Sequence, residues 1–349
     1  MRWKIHLKPT LDCNLSCYYC IERRDTERMT LGTAQRILEL VHEGLPDVEE
    51  VEFEWSGGEP LLLGARFYED VFARERRLFD GASRNTIYTN LLLATPEVLD
   101  VCEQGSVTIY TSLDSRRANS HRLAAGNYFK TLDARLSAVV RRGIPVKLYM
   151  TVTAANVDEI VDVYHYCRDM GVDFDFANVQ APYAQALPKL TQLLPDPTRF
   201  SAQAIHVFEE WYGDKEQACI VKPLYSVLEF LVRGTRPRPC VLLSFDANGT
   251  LYLCPFDISR RRARADLATI SPEDVREWAT LPCTVPAMGS LAECGACAFE
   301  HFCNLIHCKE TASGTDASGV SVYRLTCAYW RPVFVHVQQR VKESLACIA

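Results

Sequence analysis

The chain reads as an α/β protein, a partial (β/α)6 barrel of TIM type followed by a small cysteine-rich α+β domain. Three observations predict this. From residue 3 to about 180, short apolar strands alternate with amphipathic helical stretches. There are six such strand–helix units, short of the eight that close a barrel, and right-handed crossovers curl such a sheet into an open one. From about Arg236-Pro237 the texture changes to short strands, turns such as Asn248-Gly249 and closely spaced cysteines.

The elements follow from periodicity and punctuation. Trp3–Leu7 is a short apolar strand that ends by Pro9. Thr30 caps a helix over Leu31–Glu43, with Ala34, Ile37, Leu38 and Val41 at helical spacing and Gly44 as its stop. Val51–Trp55 alternates like a strand and runs into Gly57-Gly58-Glu59-Pro60. Then come a helix over Ala65–Leu78, strand Asn85–Thr89, helix Pro96–Glu103 and strand Val107–Thr111. Helix Phe129–Arg142, strand Val146–Val152, helix Val157–Met170 and strand Phe174–Val179 complete the series. The expected organisation is a barrel over 1–182, a helical connecting region over 183–235 and a cysteine-rich domain over 236–349. Arg260-Arg261-Arg262-Ala263-Arg264 is the basic block of the chain, and a solvated loop accounts for it.

Composition narrows the function. The 349 residues are 48% hydrophobic and 23% charged, which permits a sizeable core and excludes wholesale disorder. A net charge of −6 argues against a nucleic-acid partner. No apolar run reaches the length of a membrane span, and the N-terminus lacks the apolar stretch of a secretory signal. A cytoplasmic location is expected. Fifteen cysteines, an odd number, then point to metal ligation rather than to a disulfide framework.

Cys13, Cys17 and Cys20 follow the first strand directly, at the strand end where parallel barrels carry their active sites. Three thiolates can hold an iron–sulfur cube and leave one iron open for substrate or cofactor. Zinc is the competing reading, but it wants a fourth ligand nearby, and neither His6 nor His42 has helpful spacing.

The spacing Cys13-x3-Cys17-x2-Cys20, with Tyr19 before the last cysteine, resembles the defining loop of the radical S-adenosylmethionine (SAM) enzymes. Ser56-Gly57-Gly58-Glu59-Pro60 after the second strand is similar to their second motif, and Ser112-Leu113-Asp114 after the fourth strand agrees. The resemblance covers residues 3 to about 180. It implies that the open iron chelates the amino and carboxylate groups of SAM, and that an electron from the reduced cube frees a hydrogen-abstracting 5′-deoxyadenosyl radical. It also implies an electron donor such as flavodoxin or ferredoxin. Backbone groups of Gly57 and Gly58 would approach the methionine ammonium, where no side chain intervenes. Tyr19 would lie against the adenine or shield the cluster, and Ser112 and Asp114 would serve the ribose or the methionine end. Glu59 joins this cofactor-binding set or, alternatively, caps the following helix. Thr89-Asn90 and Met150-Thr151 are weaker candidates at further strand ends. Asn90 precedes Leu91, where many members of the family have glycine.

The C-terminal region resembles the SPASM domain, an extension that carries two auxiliary four-iron clusters. On that resemblance Cys294, Cys297, Cys303 and Cys327 hold the outer cluster, and Cys240, Cys254 and Cys308 the inner one, making three [4Fe-4S] clusters in all. His307 stands where the pattern places a cysteine, so it remains an alternative to Cys308. The fourth inner ligand is Cys219, His307 or no residue. Paired zinc sites are the competing reading of this region. Cys102, Cys167, Cys283 and Cys347 read as buried small hydrophobes.

SPASM enzymes most often modify peptides, so the expected activity is cross-link or thioether formation on a ribosomally made peptide. Oxidation or epimerisation of a sugar, aminocyclitol or other small molecule is the alternative, and a non-enzymatic zinc scaffold the remote one. Pro255 follows Cys254 where formylglycine-forming members place an aspartate, and Asp257 two residues later is the candidate base. Twelve residues precede Cys13, so a leader-binding module is expected on a separate protein or not at all.

Overall fold

The strand–helix alternation resolves, in a computed structural model, into β1 (Arg2–Thr10), α1 (Leu31–Gly44), β2 (Glu50–Gly57), α2 (Gly64–Phe79), β3 (Ser83–Tyr88) and α3 (Pro96–Gln104). The series continues with β4 (Val107–Ser112), α4 (Tyr128–Arg141), β5 (Val146–Val152), α5 (Ile160–Met170), β6 (Asp173–Asn178), α6 (Pro197–Gly213) and α7 (Lys222–Arg233). β7 (Leu242–Phe245), β8 (Leu251–Tyr252), α8 (Pro272–Ala279) and α9 (Val322–Ala346) follow. The structure describes residues 2–20, 22, 24–116, 128–179, 192–216, 218–234, 242–254, 258, 263–281, 296–300 and 322–346.

The strands form a sheet of order β6-β5-β4-β3-β2-β1-β7-β8. β1 through β4 pair in parallel, as does β7 with β1, while β8 runs antiparallel to β7. The α/β class with a parallel-dominated sheet is therefore as the alternation predicts. The six strands of the alternating region are joined by β7 and β8, from the stretch read as short strands, which bring the sheet to eight strands among the described residues. An open barrel leaves the outer edge of its first strand with unpaired backbone groups. Leu242–Phe245 satisfies that edge, in register with Lys4–Leu7.

Local chemistry explains the boundaries. Thr30 accepts a hydrogen bond from Thr33 N (3.1 Å) and starts α1, whose Ala34, Ile37, Leu38 and Val41 are buried. Thr95 caps α3 with Pro96 in its first turn, and Ser271 and Asp274 form a reciprocal capping box on α8. The stretch expected as one helix from Val157 begins instead as a 3₁₀ turn over Val157–Glu159, because Asn156 folds back to accept from Thr153 N (2.6 Å).

By compactness the chain forms two units. The first comprises Met1–Thr111, Arg122–Lys147 and Pro239–Cys283; the second comprises Ser112–His121, Leu148–Arg238 and Thr284–Ala349. In the first, Val51, Phe53 and Trp55 are wholly buried on the face of β2 that meets α2. Trp55 packs edge-on to Tyr68 (5.5 Å between ring centres) and Phe72 (6.4 Å). Its indole N–H donates to Asn85 Oδ1 (2.8 Å), and Asn85 Nδ2 donates to both oxygens of Glu75 (2.9 Å each). Burial pushes the Glu75 carboxyl up.

In the second unit, α6 and α9 pack through Phe200 and Trp330 (5.3 Å), and Trp330 stacks on Phe176 of β6 (5.7 Å). Tyr329 Oη donates to Pro195 O (2.8 Å), and Arg340 Nε donates to Glu209 Oε1 (2.9 Å). Among the described residues no helix is long and apolar enough to cross a membrane.

The Trp55–Asn85–Glu75 chain sets a stability test. Asn85→Ala strands a buried indole N–H and a buried carboxyl, a loss of about 2 kcal/mol or more. Urea unfolding should show a lower midpoint at constant slope. A change under about 0.5 kcal/mol would mean the three groups find other partners.

Candidate active site

β1 delivers the three-cysteine loop, and short polar contacts pin it at both ends. Thr10 Oγ1 accepts from Asp12 N (3.1 Å) and donates to Glu27 O (2.7 Å). Asp12 Oδ1 accepts from Cys13 N (2.9 Å), while Oδ2 pairs with Arg28 Nη2 (3.3 Å). Met29 N donates to Pro9 O (2.7 Å), which closes the loop's far end. Lys8, 4% exposed, holds Glu22 just beyond Cys20 (2.5 Å). Within the loop, Leu15 N donates to Cys13 Sγ (3.4 Å) and Cys20 N to Cys17 O (3.2 Å).

Burial pushes the Cys13 and Cys20 thiols up, and the charge of Cys20 adds to the rise at Cys13. Among the described residues no three His, Cys, Asp or Glu side chains converge on a point that one metal ion could occupy. The donor set nonetheless fits a cluster. Three thiols share one short loop, and a cube takes its ligands at separate corners, so they need not converge. Metal binding then brings the deprotonation that burial alone opposes.

Gly57 and Gly58 lie directly against this loop. Gly58 N donates to Thr10 O (2.9 Å) and Glu59 N to Asp12 O (2.8 Å), so the end of β2 continues the ladder onto the loop's backbone. A Cβ on Gly57 would stand 2.5 Å from Thr10 O, and its φ of +110° already excludes an L side chain. A Cβ on Gly58 would stand 2.0 Å from Asp12 O. The glycines are needed for chain to meet chain.

Glu59 is fully buried and committed to backbone and side-chain donors. Oε1 accepts from Leu61 N (3.0 Å) and Thr89 Oγ1 (2.7 Å), and Oε2 accepts from Asn90 N (2.8 Å). It caps the 3₁₀ turn Pro60–Leu63 rather than the following helix, whose N-cap is Leu63. Burial lifts its carboxyl to about 6, against the pull of those three hydrogen bonds. Asn90 Nδ2 then donates to Asn14 Oδ1 (2.7 Å), tying the end of β3 to the cysteine loop. Leu91 sits at φ +62° with its side chain buried. Thr89 Oγ1 accepts from Leu91 N and Asn90 Oδ1 from Leu92 N (3.0 Å each), which holds a conformation that leucine resists.

Tyr19 is half-buried, and neighbouring Tyr18 is 57% exposed. Cys254 is half-buried in the first unit. In the second unit Ser112 is half-buried, and Asp114 is buried with Oδ1 accepting from Thr151 N (3.3 Å). Cys297 and Cys327, also of the second unit, are half-buried; burial raises the Cys327 thiol, and the Cys297 charge contributes to it. Cys240, Cys294, Cys303, Cys308, His307, Cys283, Cys347 and Asp257 lie outside the described residues.

Cys102, Cys167 and Cys219 are buried. Burial pushes Cys102 to about 12 and Cys219 to about 11, and raises Cys167 strongly. Cys219, an optional ligand by sequence, has its carbonyl held by Trp211 Nε1 (3.0 Å).

Reading β1 as simply apolar overlooks its second face. His6 is 8% exposed and Thr10 wholly buried, and with Lys8 they occupy alternate positions to Ile5 and Leu7. The signal was the strict alternation of Trp3-Lys4-Ile5-His6-Leu7-Lys8, since strands covered on both faces are ordinarily apolar throughout.

Residues 7–167 match the radical SAM superfamily, and the chain carries a radical SAM domain. It is similar to PqqA peptide cyclase of Gluconobacter oxydans, 26% identical over 235 residues, 66% of this chain and 62% of that protein. It is also similar to a probable GTP 3′,8-cyclase of Methanococcus aeolicus, 25% identical over 172 residues, 48% of this chain and 56% of that protein. Each match spans less than two thirds of the relative's own length. The fold superposes on native anSMEcpe with bound AdoMet and Cp18Cys peptide, with a TM-score of 0.77, 17% identity, and 98% of this chain and 100% of that one covered. A radical SAM domain implies SAM and a [4Fe-4S] cluster as its cofactors.

Two substitutions separate packing from ligation. Gly58→Ala should leave all three loop cysteines in place yet lower reconstituted iron, because the new methyl displaces Asp12 beside Cys13; undiminished iron would show that the loop yields. Glu59→Gln puts an amide where Asn90 N needs an acceptor, a loss of about 1–3 kcal/mol visible as a lowered thermal midpoint.

Proposed function

We propose that the protein is a radical SAM enzyme whose Cys13, Cys17 and Cys20 hold the cluster, and that its substrate is a ribosomally made peptide. The observation that carries the first part is the cysteine loop itself, docked at the C-terminal end of β1 by the Gly57–Gly58 backbone. Similarity to a peptide cyclase supports the second, as does the fold shared with a protein solved with a bound peptide. When bound, cluster and SAM together supply a 5′-deoxyadenosyl radical able to take a hydrogen from an unactivated carbon.

The chain's own residues do the rest. The two glycines bring backbone polar groups to the loop without side chains, and Glu59 and Asn90 hold that loop in one arrangement. Tyr19, two residues after Cys17, covers the cluster or the adenine, and by motif position Ser112 and Asp114 serve the ribose or the methionine end. Cys294, Cys297, Cys303 and Cys327 form the outer auxiliary set, and Cys240, Cys254 and Cys308 the inner one. Asp257 is the candidate base. The product is a cross-link or thioether, and electrons come from a flavodoxin- or ferredoxin-type donor. Similarity to a nucleotide cyclase favours a second reading, a small-molecule substrate at the same radical centre.

Replacing any one of Cys13, Cys17 or Cys20 by alanine should abolish 5′-deoxyadenosine formation after anaerobic reduction, since an underligated cube is lost. Undiminished turnover in the triple variant would sink the assignment. Three cubes imply about twelve iron per reconstituted chain, and the triple variant should keep about eight. A triple variant with no iron would argue against independent auxiliary clusters.

A further inference from the structure

The face of the sheet turned away from α2 carries a row of polar side chains at one level. His6 is in register with Glu54 on one side and Ser244 on the other; Glu54 is in register with Thr86, and Thr86 with Thr108. His6, Glu54, Thr86 and Ser244 are all buried, with 8, 9, 5 and 0% exposure. A buried polar atom without a partner is costly, so the partners along this row are informative.

Most are accounted for. Lys4 Nζ pairs with Glu54 (2.6 Å) and Glu52 (3.0 Å), Thr86 Oγ1 donates to Glu52 (2.9 Å), and Lys8 holds Glu22. His6 Nε2 is 2.7 Å from Ser56 Oγ. Two atoms have no partner, His6 Nδ1 and Ser244 Oγ. They belong to register partners on adjacent parallel strands, so both side chains leave the sheet on the same face, with backbones about 5 Å apart.

We propose that His6 Nδ1 and Ser244 Oγ form a paired subsite for one neutral donor–acceptor edge of the substrate, the edge of an amide. Among the described residues of this face, Lys4 and Lys8 are both already paired with carboxylates, so neither is free to hold an anionic group. Burial, then the charges of Lys8 and Lys4, push the His6 imidazole down to about 3, so the ring is neutral throughout the working range. A neutral ring that donates from Nε2–H to Ser56 Oγ presents a bare acceptor at Nδ1, and the Ser244 hydroxyl then donates. An N–H and a C=O on one edge satisfy both atoms at once. A carboxamide side chain has such an edge, and so does a single extended residue, whose N–H and C=O point the same way. The subsite rests on the peptide reading above for its occupant, but not for its existence.

The test uses the reconstituted full chain with ¹⁵N-labelled histidine, the His6 ring resonances being assigned by their loss in His6→Asn. Acetamide presents the carboxamide edge, N-acetylglycine N-methylamide the extended-residue edge, and erythritol a polyol. A saturable shift of the His6 Nδ1 resonance with either amide, at least tenfold weaker in Ser244→Ala, is the expected result, and the better of the two identifies the edge. Ser244→Ala should also unfold no earlier than wild type, because it removes an unsatisfied buried hydroxyl rather than a bond. No shift with either amide, an equal shift in Ser244→Ala, or a response to erythritol alone would overturn the proposal. An amide response in a protein that forms no 5′-deoxyadenosine would leave the subsite standing and remove the radical reading instead.

Discussion

The close approach of Gly57 and Gly58 to the backbone of Thr10 and Asp12 is the constraint on which the candidate site depends. Two backbone hydrogen bonds join the end of β2 to the start of the cysteine loop, at distances no Cβ would permit. Ordering the residues of such a loop costs conformational entropy. The ladder of β1 and β2 extends past the strands proper and offsets part of that cost, so the three thiols sit on a loop tied to the sheet.

Around that contact the polar groups form one connected set. Glu59 draws the end of β3 towards the end of β2 through Thr89 and Asn90, and Asn90 reaches the loop at Asn14. Every oxygen of the carboxylate is occupied, which is how a fully buried acidic group is tolerated. The left-handed Leu91 is the visible strain in this set, held by side-chain oxygens of the two residues before it. The chain thus meets by hydrogen bonding a backbone requirement that glycine meets by lacking a side chain.

The cysteines sort by environment. Cys102, Cys167 and Cys219 are buried small side chains whose thiols stay protonated, with pKa pushed up by burial. Cys13, Cys17 and Cys20 lie on the loop after β1, none of them fully buried and close enough for Cys20's charge to be felt at Cys13. The inner sheet face follows a related logic. Among its described residues Lys4 pairs with Glu52 and Glu54, and the two unpartnered atoms, His6 Nδ1 and Ser244 Oγ, belong to neutral groups.

By itself the sequence determined the class of fold and the chemistry of the loop. Helix-period and strand-period patterns are local, so α1, α3 and β5 lie where the sequence places them, and Thr30 marks the start of α1. Cysteine spacing is likewise local, so the three-thiol loop and the Gly57-Gly58 pair were legible as motifs. Tertiary structure alone decided that Leu242–Phe245 would complete the sheet beside β1, since edge pairing joins segments more than two hundred residues apart. It alone decided that Glu59 would bind three loop donors, and that His6 and Ser244 would face the same side with atoms left unpartnered. Which acceptor meets which donor depends on register between strands, and register is set by packing across the whole sheet rather than by any one stretch of chain.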